Sequence, residues 1–269
     1  MKKHLYIVGI VASIFLIMPG RSLSAAELSV QAIVEKAVGA AYYQGKDGRA
    51  QVTMTTTDDQ GRERMRRFTL LRRNVLEAGV IGDQQFYVYF HRPADVNKTV
   101  FMVWKKVGKD DDRWLYLPAL DLVKRIAASD ERTSFVGSDF FYEDVSGRGT
   151  DEDRHTLIET DKNFYVIESH PKDPSAVEFS SYTSWIHRTT FIPIKISYFN
   201  KNKENYRNYE VLKVENIQGF QTVVQSRMKD LRAKSETVVE YSNVAYTLNL
   251  PDEIFTERYL RNPPKDYLR

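Results

Sequence analysis

The chain has 269 residues, with 39 Lys and Arg against 36 Asp and Glu, no Cys, and 42% hydrophobic residues. Lys2, Lys3 and Arg21 are the only charges in the first 26 residues, so the remainder carries 36 of each sign. A net charge near zero argues against nucleic-acid binding, which needs a strong positive field. The absence of Cys excludes disulfides, thiolate metal sites, Cys nucleophiles and an acylated N-terminal Cys.

The chain opens with Lys2 and Lys3, then an uncharged and mostly apolar run from Leu5 to Met18, broken by Pro19 and Gly20. Ser24, Ala25 and Ala26 supply the small residues a signal peptidase needs. Residues 1–26 therefore read as a cleaved secretory signal, and 27–269 as a single mature exported domain. A membrane anchor fits less well. A helix over the fourteen residues of that run rises only about 21 Å, against a hydrocarbon core of roughly 30 Å.

Leu28 to Tyr43 reads as the first helix. Ser29 suits the N-cap, with Leu28 and Ile33 as a hydrophobic staple around it. Val30, Ile33, Val34, Ala37, Val38 and Ala41 make one apolar stripe, and Gly45 is expected to end the helix. From Arg49 the period becomes two. Ala50, Val52 and Met54 alternate with Gln51, Thr53 and Thr55, up to turn chemistry at Asp58-Asp59-Gln60-Gly61. Further strands are predicted at about 64–73, 85–92, 99–106, 112–117, 121–126, 154–160, 163–170, 179–188, 192–200, 204–216, 219–231 and 235–246. Nothing between them is long and periodic enough for a crossover helix, which disfavours a parallel sheet. The fold class is mainly β: one large antiparallel sheet that curls, since flat sheets of ten or more strands are uncommon. The Pro263-Pro264 tail reads as an irregular end.

Several strands are apolar on both faces. Phe86, Val88 and Phe90 alternate with Tyr87, Tyr89 and His91; Phe101 and Val103 alternate with Val100, Met102 and Trp104; Trp114 and Tyr116 alternate with Leu115 and Leu117. A sheet wetted on one side shows polar residues there. Here something must cover the second face, and one five-turn helix cannot cover a dozen strands. The remainder requires a second helical piece, closure of the sheet on itself, an apolar guest, or a fully packed core.

Trp114-Leu115-Tyr116-Leu117-Pro118 through Lys124-Arg125-Ile126 reads as a hairpin with a proline turn. It is followed by Ser134-Phe135-Val136-Gly137-Ser138-Asp139-Phe140-Phe141-Tyr142-Glu143-Asp144. Ser138 or Asp139 suits the N-cap of a short helix carrying Phe140, Phe141 and Tyr142, laid on the sheet as a cap, with acids able to pair with Lys124 or Arg125. This run resembles the signature of the LolA-like outer-membrane lipoprotein-sorting proteins. Trp185-Ile186, the strand Ile194 to Tyr198, Met228, Thr237 and Phe255 to Leu260 are similar too, so the resemblance spans roughly 28–262. It implies an unclosed, strongly bent antiparallel half-barrel, apolar on its concave side and capped by helices. It implies cargo of the acyl-chain class, and partners such as an export permease of the resistance-nodulation-division type or an outer-membrane acceptor. It supplies no catalytic or binding residue set.

In such a sheet one parity of each strand faces inward. The expected ligand-facing positions are Phe68 and Leu70, then Phe86, Val88 and Phe90, then Phe101 and Val103, then Trp114 and Tyr116, and later Ile194, Ile196, Val224 and Met228. The opposite parity remains open wherever both faces are apolar, because a one-residue slip exchanges them. Phe140, Phe141 and Tyr142 are the expected cap. Arg62, Arg64, Arg66, Arg67, Arg72 and Arg73 crowd one strand against the single acid Glu63. They read as a charged edge that resists strand addition, or as a docking face for anionic headgroups or an acidic partner.

Signatures of chemistry are thin. His91, His155, His170 and His187 show no metal-binding spacing. Ser146 lacks the glycine two residues before it that a nucleophile elbow requires. Asp110-Asp111-Asp112 and Asp151-Glu152-Asp153 miss the calcium-loop pattern and read as solvated turns. No glycine-rich phosphate loop is present, and no cofactor is expected. The sequence thus points to a monomeric, non-catalytic carrier of a lipid or lipoprotein acyl chain. The rival is an adaptor of an export or envelope-assembly complex with a filled interior.

Overall fold

The computed structural model describes residues 28–75 and 81–269; the signal expected at 1–26 lies outside the described residues. Helix α1 spans Val30–Tyr42. The Ser29 hydroxyl accepts a hydrogen bond from the Ala32 amide at 3.2 Å, closing its first turn. Ile33 and Ala37 of its apolar stripe are buried against Ile167 and Ile186. The helix ends at Tyr42, three residues before the expected Gly45, which instead turns the chain into the sheet at φ +64°. Side chains meet the carbonyl of its last residue and those of the turn after it. Gln84 Nε2 donates to Tyr42 O at 2.8 Å, Asn74 Nδ2 to Gly45 O at 3.0 Å, and the Arg72 guanidinium to Gln44 O.

Thirteen strands form among the described residues. The first six are β1 Asp47–Thr57, β2 Glu63–Asn74, β3 Gln84–Arg92, β4 Val100–Lys105, β5 Asp112–Leu117 and β6 Leu122–Ile126. The other seven are β7 Asp153–Thr160, β8 Phe164–Pro171, β9 Ser181–His187, β10 Pro193–Phe199, β11 Asn205–Ile217, β12 Phe220–Asp230 and β13 Ser235–Tyr246. They make one antiparallel, unclosed sheet in the order β6-β5-β4-β3-β2-β1-β13-β12-β11-β10-β9-β8-β7. Two hairpin meanders are therefore joined where β1 pairs with β13. The sheet is bent. Phe86 on β3 and Ile167 on β8 line the same cavity of 370 Å³, yet eight strand spacings of about 4.8 Å would put them roughly 38 Å apart in a flat sheet.

The strand order explains the roof. Because β6 and β7 are opposite edges, the chain between them must cross a face of the sheet, and residues 127–152 do so on the concave side. This strap carries α2, Tyr142–Ser146. Phe135 on it packs against Phe68, Phe90 and Phe101 with ring centroids 5.4–6.3 Å apart. At Gly147 (φ +76°) the strap meets α1 so closely that a Cβ would lie 2.6 Å from the Tyr42 ring.

The Pro263-Pro264 end is irregular apart from a single turn at Lys265–Tyr267, yet it and the segment before it are docked on the sheet. Leu250, Ile254, Phe255, Leu260 and Leu268 bury themselves against Leu71, Tyr87, Met102 and Trp114 on the outer face. The segment includes the short helix α3, Arg258–Arg261. Trp104 Nε1 donates to Phe255 O at 2.6 Å and the Tyr87 hydroxyl to Tyr259 O at 2.7 Å. The apolar second face of β2–β5 is thus covered by the chain's own end.

This cover corrects two expected positions. Trp114 pairs with Met102 and Tyr116 with Val100, and directly opposed residues share a face. Both therefore point outward, while Phe101 and Val103 face in opposite Leu115 and Arg113. The cap is corrected as well. Its helix begins at Tyr142 and not after Ser138, because the Asp139 carboxylate is held by Ser235 and Thr237 of β13. Asp144 does the capping instead, accepting from the Phe141 amide at 2.6 Å.

Candidate functional site

The 370 Å³ cavity lies between the concave face, α1 and the strap. Phe68, Leu70, Phe86, Val88, Ile196 and Met228 touch it, as expected from parity. Phe90, Phe101 and Val103 share that face but pack solidly with Phe135, filling the β4 end of the concavity. Val224 and Ile194 sit outside the lining, each beside an irregularity in the ladder. Bulges between β11 and β12 bring Val223 to the cavity, and one between β9 and β10 brings Pro193.

Several lining residues escaped the sequence reading. Val38 and Ala41 come from the α1 stripe, Val145 from the strap, and Tyr198, Tyr209 and Tyr241 from the sheet. The tyrosines were findable, since Tyr198 shares the parity of Ile196. Of the cap aromatics only Phe140 touches the cavity. Tyr142 packs on Phe101 and Phe135. Phe141 lies under the Arg207 guanidinium, 3.9 Å from its ring centroid, with Arg132 at 5.0 Å.

The acids of the motif have a structural use. Glu143 is clasped by Arg132 and Arg148, with Arg148 Nη1 at 3.0 Å from its carboxylate. Arg148 also bonds Asp153 at 3.0 Å, and Arg132 bonds Glu178 at 2.6 Å. Arg207, fully buried on β11, binds the Asp144 carboxylate and donates to Asp139 O at 2.9 Å. Lys105 donates to Gly147 O. These contacts tie the strap to the sheet. The motif's acids do not pair with Lys124 or Arg125; Arg125 takes Asp112 at 2.8 Å. Burial alone would raise the Glu178 carboxyl, but its bonds to Arg132 and Tyr206 hold it at about 2. Burial likewise opposes ionisation of Glu143, and its two guanidinium partners outweigh it and lower it. Asp153, expected in a solvated turn, is buried in this network.

The arginine-rich strand is not an edge, because β2 lies between β1 and β3. Nor is it one basic face. Arg72 is buried and donates to Gln44 O in the turn that follows α1, while Arg62 pairs with Asp58 at 2.8 Å and Arg73 with Asp252 at 2.7 Å. Arg66 is half-buried, leaving Arg64 and Arg67 exposed. Alternation along an interior strand separates residues that the linear sequence crowds together. Among the described residues no group of three or more His, Asp and Glu gathers to hold a metal.

An unclosed antiparallel sheet bent around a cavity, roofed by an N-terminal helix and a strap, defines a LolA-like fold. The chain is similar to a DUF1329 family protein from Desulfovibrio piger, with 29% identity, a TM-score of 0.76, and 86% of this chain and 96% of that one covered. A domain from Vibrio parahaemolyticus assigned to outer-membrane lipoprotein sorting gives 22% identity, a TM-score of 0.77 and coverage of 86% and 97%. A LolA superfamily protein from Nitrosomonas europaea gives 21%, 0.65, and 87% and 100%. A family model described as "uncharacterized protein" matches residues 82–262, and the chain belongs to that family. No curated protein matches it.

Proposed function

We propose that this protein is an exported, non-catalytic carrier that holds a lipid or lipoprotein acyl chain in the concave cavity and moves it toward the outer membrane. The observation that supports this reading is the cavity itself. Its 370 Å³ lies within the range of about 300–1,000 Å³ typical of small-molecule sites, and Ala50, Met54, Phe68, Leu70, Phe86 and Val88 make its β1–β3 side mainly hydrocarbon, interrupted by Arg49 and Arg72. Each methylene transferred there contributes roughly 0.8 kcal/mol, so a long chain is held firmly yet reversibly. Release requires α1 or the strap to move, or an acceptor to compete. On this reading the signal is cleaved after Ala26, residues 27–269 act as a monomer, and the partner is a resistance-nodulation-division exporter or an outer-membrane acceptor. The exposed Arg64 and Arg67 remain available for docking.

The test is native mass spectrometry and lipid extraction on protein purified from the periplasm. A chain beginning near Glu27 with one lipid bound per protein is expected. A bare protein that takes up no lipid would leave the adaptor reading, which has no need of a cavity.

A further inference from the structure

The strand registers put the β1–β2, β3–β4, β5–β6 and β12–β13 turns at one end of the sheet. Thr57 pairs with Glu63 and with Glu236, Arg67 with Arg92, Val100 with Tyr116, Leu117 with Leu122, and Asp230 with Ser235. Three of these hairpins hold large apolar side chains out in water. Leu120 on the β5–β6 hairpin is 70% exposed, and Leu122 beside it, Met65 near the start of β2 and Leu231 between β12 and β13 are each close to half exposed. Each is apolar area that only a partner outside the fold can remove from water.

The same turns hold cations without counter-ions. Within 57–67, 92–99, 117–122 and 230–236, Arg62 pairs with Asp58, Arg232 with Asp230, Asp121 with Arg261, and Glu236 with Arg227 and Lys229. Arg64, Arg66, Arg67, Arg92, Lys98 and Lys234 form no ion pair among the described residues, and the unpaired acids there are Asp59, Glu63 and Asp95, so positive charge is in excess. Arg67 and Arg92 stand directly opposite each other on neighbouring strands, which repels them unless an anion lies between. Arg66, opposite Met54 on the concave side, lies against the strap, 3.6 Å from where a Cβ on Gly137 would be, and its Nε and Nη1 meet no acceptor. Guanidinium donors bond most strongly to charged oxygens. Arg66 on the concave parity and Arg67 on the convex one flank both sides of the rim, so a contact there is made end-on.

We propose that this hairpin rim docks end-on on an anionic bilayer, with Leu120, Leu122, Met65 and Leu231 at the boundary of headgroups and acyl chains and the unpaired cations on lipid phosphates. The spacing favours a bilayer over a folded partner. β5 and β12 each lie three strands from β2, roughly 14 Å along the sheet at about 4.8 Å per strand, so the apolar side chains are separate points. A protein interface is built round a compact apolar centre. A bilayer accepts separate apolar points and supplies anions between them. The contact holds Gly137 of the strap, part of the cavity's roof, close to the membrane surface. It is a property of the rim and stands whether or not the cavity carries a lipid.

The experiment is co-sedimentation of the mature chain with mixed phosphatidylglycerol–phosphatidylcholine vesicles and with phosphatidylcholine vesicles of the same acyl chains, at low and high salt. Because the acyl chains are identical, uptake of a chain into the cavity does not discriminate between the two, and the difference reads the surface. Wild type should bind the anionic vesicles and leave them at high salt, where the cations are screened. Arg64→Gln/Arg67→Gln should weaken binding about 25-fold, since each cation near an anionic surface contributes about fivefold. Leu120→Ser should weaken it about tenfold. Val107→Ser, on the β4–β5 turn at the opposite end and also half exposed, should bind like wild type. Melting temperatures should hold throughout, because all four side chains are exposed. Equal binding to both kinds of vesicle would overturn the proposal, as would a loss in Val107→Ser as large as in Leu120→Ser. No binding to anionic vesicles would also overturn it and leave the rim to a protein partner.

Discussion

Replacing Ala50 by Phe tests whether the cavity is a binding site or a tolerated gap. Ala50 is 7% exposed, sits on the concave face of β1 opposite Leu70, and touches the cavity. A phenyl ring there enters space that about three methylenes of a guest would fill. At ~0.8 kcal/mol per methylene the guest loses about 2.4 kcal/mol, which is roughly a 60-fold rise in Kd. The free protein responds differently. Inserting a ring into a solid core costs about 1–3 kcal/mol, but a ring entering open space strains little, so lipid-free stability should change by less than about 1 kcal/mol. Displacement of a fluorescent fatty acid reads the first quantity and urea denaturation of delipidated protein the second. A variant destabilised by the full overpacking cost, with binding unchanged, would show that position 50 is ordinary core and that the guest lies elsewhere.

The two cap phenylalanines should separate. Phe140→Ala, at the cavity, should weaken fatty-acid binding more than stability, whereas Phe141→Ala, beneath Arg207, should chiefly lower the denaturation midpoint, by about 3–5 kcal/mol of stability; equal effects in both assays would refute the division. Arg207→Met leaves the half-buried Asp144 with only the Phe141 amide as a partner and should cost about 1–3 kcal/mol, and a double-mutant cycle with Asp144→Asn should be far from additive. Acid should loosen the strap. Glu178 falls from an ordinary 4.5 to about 2 on folding, so its stabilisation is complete above pH 4.5 and is lost as pH falls toward 2; melts of Glu178→Gln should lack this component, and identical pH profiles would refute it. Ending the chain at Leu248 strips the cover from Trp114 and Met102, and the product should bind a hydrophobic dye or aggregate; a well-folded, dye-silent truncation would mean the outer face needs no cover.

Local chemistry made most of the secondary structure readable. Ser29 and the stripe from Val30 to Ala41 predicted α1 because a cap and a 3.6 period are properties of neighbouring residues. The period of two placed thirteen strands within a few residues, since alternation records which side of a pleat is wet. The absence of long helical connections excluded parallel pairing, and inward parity marked Phe68, Leu70, Phe86 and Val88 without reference to their partners.

Tertiary structure decided what lies against those faces. Trp114 and Tyr116 read as well for one face as for the other, because both faces of β3–β5 are apolar; only the docking of Phe255 and Leu260 determines which side is outside. Arg72 looked like one member of a basic row until an interior strand turned it toward the Gln44 carbonyl just past α1. Asp139 was a plausible cap until Thr237, 98 residues away, engaged its carboxylate. The cavity itself is made by contacts between segments remote in sequence: β3 faces β8 only because the sheet bends, and the strap crosses only because β6 and β7 are opposite edges. Periodicity reports the environment of each residue, burial or water, and carries no information about which distant surface supplies it.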